Sequence, residues 1–423
     1  MKKSYLPRIA DALLAEAMAA SGAVLIEGPK WCGKTRTAEE MAKSVLYMQD
    51  PDRRRQYLEI VAVQPSLLLE GDTPRLLDEW QIAPVLWDAA RFMIDKRGKS
   101  GQFILTGSVN PNKESKPLHS GAGRISRMKM RTMSLFESKE SSGEVSLRGL
   151  FDGMTDISGF SPLSLRDTVD VLVRGGWPAS VREGSKKLAQ KRVNDYVEVV
   201  INEDISEVDG VNKNPARVRN LMRSLARNVA TAASIDTIRQ DILVDDVELS
   251  PNTIALYINA LRRLFVVEDL PAWNPKLRSK SAIRTSPTRH FTDPSIAAAV
   301  LRAGTDKLLS DFETLGFLFE SMCVRDLRTY AEANDGEVFY YRDSSGLEID
   351  AIVQLKDGRW GAMEVKLGAG RFDEAARNLM LLDKKIDPAK MAKPSFLMIL
   401  SGTDIAYRRQ DGILVVPLAC LGV

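Results

Sequence analysis

Eight consecutive residues carry the clearest chemical signal in this 423-residue chain: Gly28, Pro29, Lys30, Trp31, Cys32, Gly33, Lys34 and Thr35. Their types and spacing match G-x-x-x-x-G-K-[ST] in full, the loop that wraps nucleotide phosphates. Glycine lets the backbone curl so that its N–H groups point at the phosphates, and the N-terminus of the following helix adds the positive end of its dipole. Lys34 is then placed to reach the β- and γ-phosphates of ATP. Thr35 is placed to set its hydroxyl on Mg²⁺, a hard ion that takes oxygen ligands. Arg36, the next residue, completes the set expected to border the nucleotide. Such a loop calls for a second apolar strand ending in acid, and Arg75-Leu-Leu-Asp78-Glu79 supplies it. Asp78 is expected to hold Mg²⁺ through water, and Glu79 to polarise the attacking water. In Gly101-Gln-Phe-Ile-Leu-Thr106-Gly107-Ser108 a hydroxyl at the strand end can sense the γ-phosphate, Ser108 first and Thr106 second; the other reading is an ordinary strand-end turn. Arg124 is the candidate to act on the γ-phosphate of its own or a neighbouring subunit, against the alternative of a solvated strand flank.

A second constellation lies near the C-terminus. Leu347-Glu-Ile-Asp-Ala-Ile-Val-Gln-Leu355 and Trp360-Gly-Ala-Met-Glu-Val-Lys-Leu367 flank Lys-Asp-Gly-Arg, a hairpin signal. A two-residue turn would pair Asp350 with Val365 and mix the faces. A three-residue loop with Gly358 in the left-handed region pairs Leu355 with Arg359, and hence Asp350 with Glu364. Opposed residues have Cβ atoms roughly 5 Å apart, so the two carboxylates can grip one divalent metal while Lys366 orients water or stabilises charge. Asp350 followed by Glu364-Val-Lys366 resembles the PD-(D/E)xK nuclease superfamily. Glu320, on a helix expected over residues 314–330, stands where many members carry an additional acidic ligand. The first motif here reads Ile-Asp rather than Pro-Asp. The competing reading is a solvated polar sheet face.

The elements that must position these residues are legible as patterns. Ser21-Gly-Ala-Val-Leu-Ile-Glu27 is a short apolar run that reads as a buried parallel strand, and the Gly- and Pro-free stretch 36–44 can form the helix after the loop. Helical spacing dominates from Leu165 to Leu270, with Val193, Tyr196, Val197, Val200 and Ile201 on one stripe. Helices over 218–232, 234–241 and 251–264, the last capped by Ser250, precede the β-prone Leu264-Phe-Val-Val-Glu, which suggests a winged helix. If DNA is the partner, Asn252, Thr253, Tyr257 and Asn259 would face the groove. Lys276, Arg278, Lys280, Arg284 and Arg289 form an acid-free stretch that suits either a phosphate backbone or a solvated linker.

Composition bounds the rest. With 44% hydrophobic and 27% charged residues, a mean hydropathy of −0.17 and no apolar run near the roughly 18 residues of a membrane span, no membrane role and a cytoplasmic location are expected. Cys32, Cys323 and Cys420 are too scattered for a zinc site or a disulfide framework. Two histidines, His119 and His290, leave little for Ser-His-Asp or Cys-His catalysis. The formal charge of +3 does not declare a nucleic-acid partner.

Residues 28–35, Leu76-Leu-Asp-Glu-Trp-Gln81, Phe103-Ile-Leu-Thr-Gly-Ser108, Gly123-Arg124 with Leu135-Phe-Glu137, Gly175-Gly-Trp-Pro178 and Thr285-Ser-Pro-Thr-Arg-His-Phe-Thr-Asp293 together resemble bacterial and archaeal AAA-type ATPases that carry a C-terminal domain of unknown function 4143. The resemblance implies an ATPase core of AAA+/ASCE type with strand order 5-1-4-3-2. The expected organisation is an α/β multidomain chain: a P-loop ATPase domain over 1–155, a helical, winged-helix-like domain over 156–295, and an α/β restriction-endonuclease-like domain over 296–423. The leading expectation is Mg²⁺-dependent ATP hydrolysis, acting on nucleic acid. Alternatives are a DNA nuclease regulated by ATP and a nucleotide switch that binds a protein partner or forms a homo-oligomer.

Overall fold

The computed structural model describes residues 5–107, 120–208, 210–243, 250–274 and 286–423. Ser108, His119 and the basic positions 276–284 lie outside the described residues. The chain falls into two units, Met1–Thr132 with Glu203–Asn212 and Asn259–Val266, and Met133–Asn202 with Lys213–Ile258 and Val267–Val423. No described helix is long and apolar enough to cross a membrane.

In the first unit, β1 (Ala23–Glu27), β2 (Ser44–Tyr47), β3 (Arg75–Asp78), β4 (Phe103–Gly107) and β5 (Ile125–Lys129) form a parallel sheet in the order β2-β3-β4-β1-β5. From the opposite edge this is the order 5-1-4-3-2 that the resemblance implies. Because side chains alternate along a strand, Ala23, Leu25, Leu77, Phe103 and Leu105 pack against Leu86, Trp87, Ala90 and Ile94 of the helix Val85–Arg97. Val24, Ile26, Leu76 and Ile104 pack the other way, against Leu14 and Met18 of the helix Ile9–Ala20 and Ala38 of the helix Lys34–Met41. Burial of both faces explains why these strands read as unbroken apolar runs. All five strands point the same way, so the segments that follow them gather at one edge of the sheet.

The second unit contains β6 (Val145–Ser146), β7 (Gly159–Phe160), β8 (Val267–Leu270), β9 (Thr288–Phe291), β10 (Gly336–Arg342), β11 (Glu348–Leu355), β12 (Trp360–Lys366), β13 (Phe396–Ser401), β14 (Ile405–Arg408), β15 (Leu414–Pro417) and β16 (Leu421–Gly422). Among the described residues, seven strands form one sheet in the order β10-β11-β12-β13-β15-β14-β7. β6 pairs with β16 and β7 with β14, so the boundary expected at residue 155 falls between two short strands that both pair with the C-terminal segment. Helices Pro215–Arg227, Ile235–Leu243 and Pro251–Arg263 precede the antiparallel pair β8–β9. Arg289, in β9, is buried and donates to the Ala233 carbonyl, so it serves the fold rather than an open basic surface.

The hairpin β11–β12 has the register that face-matching demands. Val353 opposes Gly361 and Gln354 opposes Trp360, while the Leu355 amide donates to the Arg359 carbonyl over 2.8 Å. Gly358 closes the three-residue loop at φ 94°.

A buried cation ties three distant segments to the helix Phe312–Glu332. The Arg325 guanidinium, 2% exposed, meets Asp293 at 3.2 Å and Asp326 at 2.7 Å. Asp326 also accepts from the Leu135 amide, and Asp293 from the amides of Gly176 and Ser295. Gly176 has no room for a side chain, since a Cβ there would lie 2.0 Å from the Met133 carbonyl oxygen. Removing one partner from a buried ion network leaves charge unpaired and costs about 3–5 kcal/mol. Arg325→Met should therefore lower the unfolding free energy read from urea titration by about 3–5 kcal/mol, seen as a lower midpoint. A midpoint within error of the parent would show that the cluster contributes nothing.

Candidate functional site

The chain leaves β1 at Glu27 and enters the loop of residues 28–35 at the C-terminal edge of the sheet. Gly28 admits nothing larger, because a Cβ there would sit 2.1 Å from the Met130 carbonyl oxygen. Gly33 takes φ 108° immediately before the helix Lys34–Met41, a conformation that side chains resist. The loop therefore curls as the motif requires, with the orphan N–H groups of a helix N-terminus at its end.

Within the loop Lys34 is buried and donates to the carbonyls of Gly28 and Pro29 at 2.9 and 2.8 Å. Thr35 donates its hydroxyl to Asp78 over 2.7 Å. Asp78, fully buried at the end of β3, also accepts from Thr106 at 2.6 Å and from Gln49 at 2.8 Å. Thr106, the second sensor candidate, thus orients the acid from the end of β4. Glu79 follows in the left-handed region at φ 55° and accepts from Gln81. Burial raises the Glu79 carboxyl above its usual range, and neighbouring Asp78 pushes the same way, while the Gln81 bond opposes them.

Other loop residues face outward or sideways. Trp31 is 56% exposed at φ 68°, and Cys32 is buried with its thiol toward the Met130 carbonyl. Lys30 forms a 2.6 Å ion pair with buried Asp204. Arg36 pairs with Glu39 and Glu40 along its own helix.

Arg124 is placed away from the loop of residues 28–35 of its own chain. Ile125, the first residue of β5, opposes Ala23, the first of β1, so Arg124 lies at the edge opposite the loop. Four residues at about 3.3 Å each put roughly 13 Å of strand between them. Its guanidinium pairs with Asp95 at 2.8 Å.

Gln49 has no place in the sequence reading, and Gln81 stands there only as the last residue of the segment 76–81, with no role. They follow β2 and β3 by a few residues, where a polar side chain falls within reach of the site. Arg8 belongs to no motif either; its guanidinium donates to the Cys32 and Arg131 carbonyls and braces the loop.

In the second unit Asp350, Glu364 and Lys366 do converge. Lys366 reaches Glu364 at 2.5 Å and Asp350 at 3.2 Å; Asp350 also accepts from the Val365 amide and Glu364 from Asn378. Glu364 is 2% exposed, which removes the solvated-face alternative. Glu320, Asp350 and Lys366 line a cleft of about 900 Å³ with Phe312, Phe317 and Arg371. Burial, then Asp350, pushes the Glu364 carboxyl up to about 8 and Glu320 well above its usual range. The expected grip of Glu320, Asp350 and Glu364 on a metal is not formed: among the described residues no three acidic, His or Cys side chains close on a common point. The physical reason is Lys366, whose ammonium already donates to both hairpin carboxylates and offsets one of their two charges.

A family model described as an AAA domain matches residues 20–139. The chain carries an AAA-type P-loop ATPase domain. Models for two domains of unknown function match the remainder, DUF8612 over 165–307 and DUF4143 over 315–421. Uncharacterized proteins of Mycobacterium bovis and Mycobacterium tuberculosis are each 24% identical over 370 residues, covering 85% of this chain and 73% of theirs. Among solved structures, the Walker-type ATPase PABY2304 of Pyrococcus abyssi aligns at TM-score 0.41 and 14% identity, covering 71% of this chain and 97% of that one. The Aeropyrum pernix ORC1 protein in complex with DNA aligns at TM-score 0.21 and 14% identity, covering 71% and 93%.

The elevated Glu79 carboxyl sets a pH expectation for this domain. A base accepts a proton only when ionised, so hydrolysis that depends on Glu79 falls as pH drops through the raised value and recovers above it. The acid limb of the rate profile should lie above the ordinary glutamate value of about 4.3. A limb at or below that value would remove Glu79 as the group that titrates.

Proposed function

We propose that the chain binds ATP with Mg²⁺ at residues 28–35 and hydrolyses it. The observation that carries this reading is the meeting of Thr35, Thr106 and Gln49 on the buried Asp78 carboxylate, with Glu79 adjoining. The Thr35 hydroxyl and an Asp78 carboxylate oxygen, 2.7 Å apart, are hard oxygen donors that fit Mg²⁺, Thr35 directly and Asp78 through water. When bound, the ion neutralises charge that develops on the phosphates.

The remaining work falls to side chains. Lys34, satisfied by two loop carbonyls, exchanges them for phosphate oxygens and so holds charge that builds on the γ-phosphate. Glu79 takes the proton from the attacking water, and Gln81 keeps its carboxylate oriented.

Steady-state hydrolysis and nucleotide binding test the assignment together. Lys34→Ala should reduce turnover roughly 100-fold or more. Glu79→Gln should lose turnover to a similar degree, about 100-fold or beyond, yet bind ATP as tightly as the parent. Undiminished turnover in either variant refutes the role given to that residue.

A metal-dependent nuclease in the second unit is the second reading. Its support is the register of Ala351 opposite Met363, next to which Asp350 and Glu364 both meet Lys366. Activity would require a metal to displace the Lys366 ammonium from between the carboxylates. Supercoiled plasmid with Mg²⁺ or Mn²⁺ should then be nicked by the parent and not by Asp350→Ala. Intact plasmid, or equal nicking by both, removes this reading.

A further inference from the structure

Apart from both constellations, a cavity of about 600 Å³ opens in the second unit among the helices Lys186–Val199, Pro215–Arg227 and the end of Pro294–Val300. Its wall carries three guanidinium groups, Arg219, Arg223 and Arg302, against one carboxylate, Glu198. Arg219 takes Glu198 in a two-pronged grip, with both N–H···O distances 2.7 Å. Among the described residues Arg223 and Arg302 are in no ion pair, so the cavity holds two positive charges more than its carboxylate balances.

Arg302 supplies an independent observation. It occupies φ 52° just past the helix Pro294–Val300, with its amide bonded to the Ala299 carbonyl and the Ala303 amide to the Ala298 carbonyl. This paired closure is where helices normally place glycine, because a side chain strains the left-handed backbone. Keeping an arginine there sets a third guanidinium at the cavity at the expense of local backbone energy.

We propose that this cavity binds a small ligand bearing a phosphoryl group, a phosphate monoester of about nucleotide size. The Glu198 grip displays the geometry: a fork that takes two carboxylate oxygens takes two phosphoryl oxygens as well. The cavity is larger than one phosphate needs and lies within the roughly 300–1,000 Å³ of small-molecule sites. Beyond the arginines its lining offers the amides of Gln190, Asn194 and Asn220 over the apolar Val197 and Ile201, which suits the organic part of such a ligand. A concave pocket among three helices favours a compact anion over a nucleic-acid backbone, which tracks along extended basic grooves.

The test is calorimetric titration of inorganic phosphate into the full chain after its loop at residues 28–35 has been filled with one equivalent of a non-hydrolysable ATP analogue and Mg²⁺, so that no excess analogue competes for the cavity. One phosphate per chain should bind, and Arg302→Gly and Arg223→Gln should each weaken it at least ten-fold while analogue binding stays unchanged. Because glycine relieves the left-handed strain, Arg302→Gly should also unfold at the same or a higher temperature, which separates lost binding from lost structure. No phosphate binding by the parent, or equal affinity in the variants, overturns the proposal. Displacement of phosphate by a short DNA duplex, but not by adenosine monophosphate, overturns it in favour of nucleic acid.

Discussion

A carboxylate taken out of water must be compensated by hydrogen bonds, and in the first unit this requirement falls on Asp78. It is fully buried, and its partners come from three separate places in the chain: Thr35 after β1, Gln49 after β2 and Thr106 at the end of β4. Those places become neighbours only in a parallel sheet with β3 between β2 and β4 and β1 next to β4. The strand order and the polar site are therefore two aspects of one constraint. Satisfying Asp78 also sets the Thr35 hydroxyl beside it and leaves Glu79 next in the chain, in a left-handed turn that redirects its side chain.

The second unit meets the same physical requirement with the opposite sign. Arg325 is a buried cation, and the acids that satisfy it fix Leu135 and Gly176 through their amides. The segments 135–137, 175–178 and 286–293 read in the sequence as markers of resemblance, and here they are parts of a packing joint. The hairpin carboxylates form a third, partly buried charge cluster, in which Lys366 bonds to both.

Much of the first unit was legible because its signals are local. The glycines at 28 and 33, the lysine and the threonine specify their own turn, and β1, β3 and β4 announce themselves as apolar runs. Hairpin parity likewise pointed to the register in which Ala351 opposes Met363, without any long-range knowledge. What was not legible depends on contacts far apart in sequence. Nothing in Gly123-Arg124 tells that β5 begins level with Ala23, which carries Arg124 to the edge away from the loop. Nothing near Lys30 points to Asp204, 174 residues on. Alternation suggested an open polar face on β11 and β12, but Ile352 and Ala362 share a buried cluster with the helix Phe372–Lys385 on that sheet. A sheet covered on both sides erases the distinction that alternation is used to read.

Asp78 and Thr35, on the reading proposed above, form a cation site that serves a bound nucleotide. Calorimetric titration of a non-hydrolysable ATP analogue, with Mg²⁺ and then with EDTA, tests it most directly when run on the parent and on Asp78→Asn. The parent should bind roughly ten-fold or more tightly with Mg²⁺, and the variant should lose most of that difference, as expected when a group that orients a metal ligand is changed. Equal affinity in Mg²⁺ and EDTA for the parent, or an undiminished Mg²⁺ effect in Asp78→Asn, would exclude a nucleotide-linked cation site at Asp78 and Thr35.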